Sequence, residues 1–171
     1  LQTYELVRDG YLLSLVSPQD ILPYRTGGGL EKWSEKVVQN IDEDEWFYLR
    51  TARRLIESCQ RPFAERAGLF LQIETDLERL RDSSSHPFVA DRILLSEWQE
   101  VQRLQALDRA RCEAWKLALG LAGGEAPGDI PENPLTGDRY VIRQDSSQVA
   151  VDGIDPERGE PPVVLAVRPD G

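Results

Sequence analysis

Hydrophobic residues repeat at helical spacing over most of the chain and at alternate positions only near its end. The longest predicted helix covers 91–121, a stretch with no proline and no glycine before Gly120. Apolar side chains recur along it at the intervals that place them on one face of a helix. They are Leu94, Trp98, Val101, Cys112, Trp115 and Leu119. We therefore expect one long amphipathic helix with this stripe buried.

Shorter helices are predicted in the part of the chain that precedes this one. A serine followed by a proline at 17–18 is typical of a helix start and indicates one short turn. In the next segment we expect Trp33 and Val37 to face inward. Apolar positions at helical spacing predict these helices within 1–16, 30–38, 41–59 and 63–81.

The composition changes after residue 122. Residues 123–171 hold seven of the 13 glycines and seven of the 11 prolines, which indicates short elements joined by turns. Alternating apolar residues predict three strands, the first two joined by a turn at 145–147. The strands lie at 139–143, 148–151 and 163–167.

These patterns predict an α+β fold that is mostly helical, with one long amphipathic helix and a small C-terminal antiparallel β-sheet of about three strands. We expect a helical region, 1–122, and a small β region, 123–171, packed on it as a single domain.

The net charge of the chain and its first residue bear on which partners and which location are expected. The net charge of −10 disfavours nucleic acid and anionic membrane surfaces as partners. No apolar run reaches the roughly 18–20 residues of a membrane span. The chain begins at Leu1 and contains no methionine, so we expect that an N-terminal segment was removed, one that could have carried an anchor.

The sequence offers little catalytic chemistry. His86 is the only histidine and lies in a serine-rich loop before Pro87, with no nucleophile pattern near it. The three glycines at 27–29 follow no predicted strand and match no phosphate-binding motif. We therefore expect no enzyme activity and no cofactor, and a hydrolase is the least favoured function.

Cysteines and tryptophans provide the candidate contacts. Cys59 and Cys112 lie on predicted helices that could pack side by side, so they form either a disulfide or two buried thiols. Trp33 lies beside the glycine-rich loop, and we expect it to be the least buried tryptophan and, if it is exposed, a partner contact. The remaining tryptophans are expected in the core: Trp46, Trp98 and Trp115.

One segment near the end has a family resemblance. IPENPLTGDRYVIR, residues 130–143, resembles the P-x-D-P-[FL]-[ST]-G-x-x-[LY]-x-Y segment of bacterial type IV pilin-like and type II secretion pseudopilin-like proteins. VVLAVRPDG, residues 163–171, resembles their last strand, and the arginine-rich helix at 103–119 also fits. Asn133 stands where the pattern has Asp, and 155–162 is an insertion.

The resemblance implies an extracytoplasmic domain of a pilin-like or secretion-associated membrane protein, on the periplasmic or extracellular side. Its partners would be proteins of a pilus or secretion assembly, with membrane contact only through a missing N-terminal anchor. Because some pseudopilins bind calcium in this region, Asp152, Asp155 and Glu157 are candidate metal ligands or else solvated turn acids. The alternative function is a soluble acidic helical adaptor or scaffold that binds a basic partner.

Overall fold

The computed structural model describes residues 2–81, 83, 86–126 and 128–167. Within these residues the fold is α+β, as predicted, with helices first and a three-stranded sheet last. None of the described helices has the length and apolar character needed to cross a membrane. The helices are α1 (Gln2–Arg8), α2 (Leu12–Leu15), α3 (Pro18–Ile21), α4 (Gly29–Gln39), α5 (Ile41–Ser58), α6 (Ala67–Leu80) and α7 (Trp98–Ala122).

Short turns of other helix types join some of these helices. Two are 3₁₀ turns, at Leu22–Tyr24 and Phe63–Arg66, and one is a π-helical turn at Ala90–Leu94. The helix predicted over 91–121 is therefore divided, since α7 begins only at Trp98.

The chain forms two compact units. The first contains Leu1–Glu57 and Leu69–Trp98, and the second contains Ser58–Gly68 and Gln99–Gly171. The second unit thus includes α7 from Gln99 onward together with the sheet, whereas the sequence predicted a boundary after residue 122.

In the first unit a buried carboxylate joins distant segments. Asp44 lies in the first turn of α5 and is turned inward, where it accepts hydrogen bonds from the Tyr4 hydroxyl at 2.8 Å and from the backbone N–H of Val89 at 2.7 Å and Ala90 at 2.9 Å. Burial raises the pKa of this carboxyl group, although the three hydrogen bonds oppose the shift. Around it packs an apolar core: Tyr4, Val7, Leu12, Trp33, Val37, Ile41, Phe88 and Val89.

In the second unit the three predicted strands form one antiparallel sheet in the order β1-β2-β3. The bounds are β1 (Val141–Gln144), β2 (Gln148–Asp152) and β3 (Val163–Ala166). The predicted turn is present, because Asp145 Oδ1 accepts hydrogen bonds from the backbone N–H of Ser147 and Gln148. The resemblance extended past β3 to 168–171, which lie outside the described residues.

The face that α7 buries is made largely of alanine. Ala106, Ala110, Ala114 and Ala118 recur every four residues and pack in one cluster with residues of the sheet that include Val149. Alanines on a helix face let neighbouring backbone come close, and the Tyr140 hydroxyl donates a hydrogen bond to Ala110 O at 3.0 Å. The predicted buried stripe was therefore wrong: its residues on α7 other than Trp98, which is partly buried, are exposed, since the alanines occupy the inner face.

Candidate functional site

The outer face of α7 carries an exposed apolar row, which we call the α7 stripe. Four of its side chains are between 46% and 60% exposed, and Cys112 is exposed as well. An exposed apolar row of this length on one helix is typical of a contact surface. The stripe consists of Val101, Leu104, Cys112, Trp115 and Leu119.

The spacing of these residues keeps them in line along the helix. Val101 and Trp115 are two heptads apart, and Cys112 and Leu119 are one heptad apart. Because a straight helix drifts only about 20° per heptad, such residues follow nearly one line on its surface. Asp108 shares this line and is the one acid within it.

The charges on α7 differ between its two halves. Trp98–Asp108 contains two acids and one base, a net charge of −1, whereas Arg109–Ala122 contains three bases and one acid, a net charge of +2. Some of these groups are already paired, as in the contact of 3.4 Å between Arg111 and Asp108. The helix surface is nevertheless polarised along its length.

The tryptophans are arranged differently from the prediction. Trp33 is only 8% exposed: its ring stacks on Tyr24 with centroids 5.2 Å apart and meets the Phe88 ring edge-on at 4.9 Å. The expectation that Trp33 is the least buried tryptophan was therefore wrong, because α4 turns it into the core of the first unit, and the partner contact was predicted only for an exposed Trp33. Trp46, by contrast, is 66% exposed, and Trp115 belongs to the α7 stripe.

The candidate metal ligands do not form a cluster. Asp155 is buried, and its Oδ2 accepts a hydrogen bond from Arg103 Nη1 at 3.1 Å. Asp152 forms an ion pair with Arg143, and Glu157 is exposed. Within the described part of the chain, no three His, Cys, Asp or Glu side chains come close enough to hold a metal ion.

The two cysteines are both thiols, so the structure does not contain the disulfide considered above. Cys59 is half-buried, and its sulfur accepts a hydrogen bond from Arg66 Nη1 at 3.6 Å. Cys112 is exposed on the α7 stripe.

His86 lines a cleft of about 360 Å³ in the first unit, together with Lys36 and Arg92. Its Nε2 lies 3.4 Å from Asp91 Oδ2, and its ring meets that of Phe88 edge-on with centroids 6.4 Å apart. The ring of His86 is thus contacted by an acid on one side and by an aromatic residue on another. Such contacts are typical of a histidine that stabilises its own segment.

Comparisons with protein-family models, with curated proteins and with solved structures found no match for this chain. The geometry of the chain itself therefore carries the functional argument.

A sign of the α7 stripe was present in the sequence. Alanines at 106, 110, 114 and 118 repeat every four residues, so they mark a helix face of their own. If that face is buried, Trp115 and Leu119 must point outward. The larger apolar residues form a second apolar face, and hydrophobicity alone does not distinguish which of two such faces packs inward.

Proposed function

We propose that this protein is a non-catalytic contact domain that pairs with a second copy of itself through the α7 stripe. The observation that carries the proposal is the row of large apolar side chains left exposed on a helix whose other face is packed. Fully burying one side chain of this kind contributes roughly 1.5–3 kcal/mol, so pairing two stripes would gain several such contributions.

The charge pattern of α7 favours an antiparallel pair. A twofold axis near residue 110 would bring Val101 of one copy opposite Leu119 of the other and Asp108 opposite Cys112. The same arrangement sets the −1 half of one helix against the +2 half of its partner. Such an interface is self-complementary and closes at two copies.

The wider setting that we propose is the extracytoplasmic part of a pilin-like or secretion-associated protein, which works by contact with other proteins of its assembly. Support comes from the residues of the resemblance and from the turn they form. Asn133 O accepts a hydrogen bond of 2.8 Å from Gly137 N, and Gly137 has a φ of +81°, so this turn requires its glycine. It leads into β1 as in the pattern, and the periplasmic or extracellular location and the N-terminal anchor belong to the same proposal.

The proposal is tested by the mass of the protein in solution. We expect sedimentation equilibrium to show a dimer of twice 19.4 kDa for the unchanged chain. Trp115→Glu should weaken the dimer about 100-fold, since a buried aromatic contact is replaced by a charge. Trp46→Glu is the control, a still more exposed tryptophan on α5, and should leave the dimer intact.

A chain that stays monomeric over the whole concentration series would contradict the proposal, and so would a Trp115→Glu variant that dimerises normally. Orientation is tested separately with a short bismaleimide. In an antiparallel pair the two Cys112 residues lie about 6 Å apart along the axis and should cross-link. Val101→Cys in a Cys112→Ser background should not, because its two thiols would be about 27 Å apart along the axis.

A further inference from the structure

Arg66 is a buried cation whose contacts within the described residues include no carboxylate. It is 5% exposed, and its Nη1 donates hydrogen bonds to the sulfur of Cys59 and to Gln102 Oε1. Its guanidinium lies over the Phe63 ring at 5.4 Å. Its Nε is buried and has no hydrogen-bond partner among the described residues. A buried charged group in this state has unmet capacity to bind an anion.

Two further arginines adjoin Arg66. A pocket of about 50 Å³ is lined by Arg61, Arg66 and Arg109 together with Cys59, and no acid is among its lining residues. Burial lowers the pKa of Arg66, the contact with Cys59 opposes this shift, and the positive charge of Arg109 makes a smaller contribution that lowers the pKa. Neither Arg61 nor Arg109 forms an ion pair with any other described residue.

This grouping is unusual for the chain that carries it. The protein has 30 acids and 20 bases, yet three bases line this pocket and no acid does. Like charges held together around a buried guanidinium destabilise the fold unless an anion offsets them.

We propose that this pocket binds a small inorganic oxyanion of the phosphate and sulfate class. Guanidinium groups present paired N–H donors that match the oxygen atoms of such anions. Arg66 supplies a buried guanidinium in the pocket wall, and Arg61 and Arg109 supply charge from the exposed side. The pocket, at about 50 Å³, is far smaller than the clefts of roughly 300–1,000 Å³ that hold drug-sized ligands, so a small anion suits it better.

Cys59 provides a direct probe of occupancy. Its thiol lines the pocket, whereas Cys112 lies on the exposed face of α7 and serves as an internal reference. The full chain is treated with iodoacetamide in increasing phosphate, and the alkylation of each cysteine is followed by mass spectrometry. At a phosphate concentration ten times Kd, the rate at Cys59 should fall roughly tenfold, and the rate at Cys112 should not change.

Two salts separate specific binding from screening. Sulfate should protect Cys59 as phosphate does, and sodium chloride at the same ionic strength should not. Equal protection by all three salts would overturn the proposal, as would no protection by any of them.

Arginine variants test which groups hold the anion. Arg109→Gln should raise the phosphate Kd about tenfold or more, because one charge-assisted contact is lost. Arg139→Gln, an exposed arginine of the same unit, should leave the Kd unchanged. Arg66→Lys, which keeps the charge but loses the planar set of guanidinium N–H donors, should weaken binding in a chain that still folds. An unchanged Kd in Arg109→Gln and Arg66→Lys would show that the anion binds elsewhere.

Discussion

Asp44 accepts a hydrogen bond of 2.8 Å from the hydroxyl of Tyr4, 40 residues earlier in the chain. The same carboxylate accepts the backbone N–H groups of Val89 and Ala90, more than 40 residues later. One side chain therefore fixes α1, the start of α5 and the segment that leads into the π-helical turn. All three groups donate hydrogen bonds to Asp44, so the site requires a side chain that only accepts hydrogen bonds.

Asp44→Asn should destabilise the protein by about 1–3 kcal/mol, because its amide would point N–H donors at groups that also donate. Urea unfolding of the full chain measures the effect. Asp42→Asn is the matched control in the same turn: its side chain is 87% exposed and pairs with Arg8 at the surface, so its change should stay within about 0.5 kcal/mol. Equal losses in the two variants would mean that the buried acceptor contributes no more than the exposed Asp42.

Glu160 should make stability depend on pH in the acid range. Its two carboxylate oxygens accept hydrogen bonds of 2.8 and 3.0 Å from Arg111, and these lower the pKa of Glu160 below its ordinary value of 4.5. Because the folded pKa is lower than the unfolded one, the stabilisation is present above pH 4.5 and is lost as pH falls through the folded pKa.

Unfolding curves at several pH values test this against Glu160→Gln. The unchanged chain should be more stable than the variant above pH 4.5, and the two should converge in stronger acid. Glu157→Gln, an exposed acid of the same loop, should follow the unchanged chain throughout. A difference between the unchanged chain and Glu160→Gln that persists at the lowest pH would rule out the ion pair as its source.

The β region was predictable because its signals are local. Alternating residues and a short Asp-Ser-Ser turn determine which segments pair, and the observed strands 141–144, 148–152 and 163–166 match the predicted ones closely. The pairing of the three strands follows from residues close together in the sequence. Only the apolar face that the sheet buries depends on contacts with distant residues.

The orientation of helices was harder to predict because it depends on size as well as hydrophobicity. On α7 the alanines are inside and Trp115 is outside, since small side chains allow the sheet to pack closely. Asp44 was missed for a related reason: it sits among four consecutive acids, of which the other three are at least partly exposed. Its burial depends on donors from Tyr4, Val89 and Ala90, which no local pattern brings together.

Ala110→Leu tests the close packing of α7 directly. Ala110 is fully buried in the cluster that contains Val149, and the added atoms would force its neighbours apart at a cost of about 1–3 kcal/mol. Ala67→Leu, at the exposed start of α6, is the control and should change stability by less than about 0.5 kcal/mol. Thermal or urea unfolding distinguishes them, and an Ala110→Leu variant as stable as the unchanged chain would mean that the helix face has spare volume.

Asn133 is one position at which this chain departs from the pilin-like pattern, and its contacts explain why the amide is needed. Its Nδ2 donates to the carbonyl oxygens of Gly153 at 2.6 Å and Ile154 at 2.9 Å, while its Oδ1 accepts the backbone N–H of Leu135 at 2.7 Å. Asparagine thus joins the turn before the sheet to the loop after β2, and it is fully buried there.

Asn133→Asp, which restores the residue of the pattern, should therefore destabilise this chain by about 3 kcal/mol or more, because an ionised carboxylate would face two carbonyl oxygens without a cation. Asn133→Ala removes the same hydrogen bonds without adding charge and should lose less, about 1–3 kcal/mol. Urea unfolding at neutral pH gives the order, and in mild acid the Asp variant should recover toward the Ala variant as its carboxyl group is protonated. If Asn133→Asp were as stable as the unchanged chain, the two carbonyl contacts would not be what selects asparagine here.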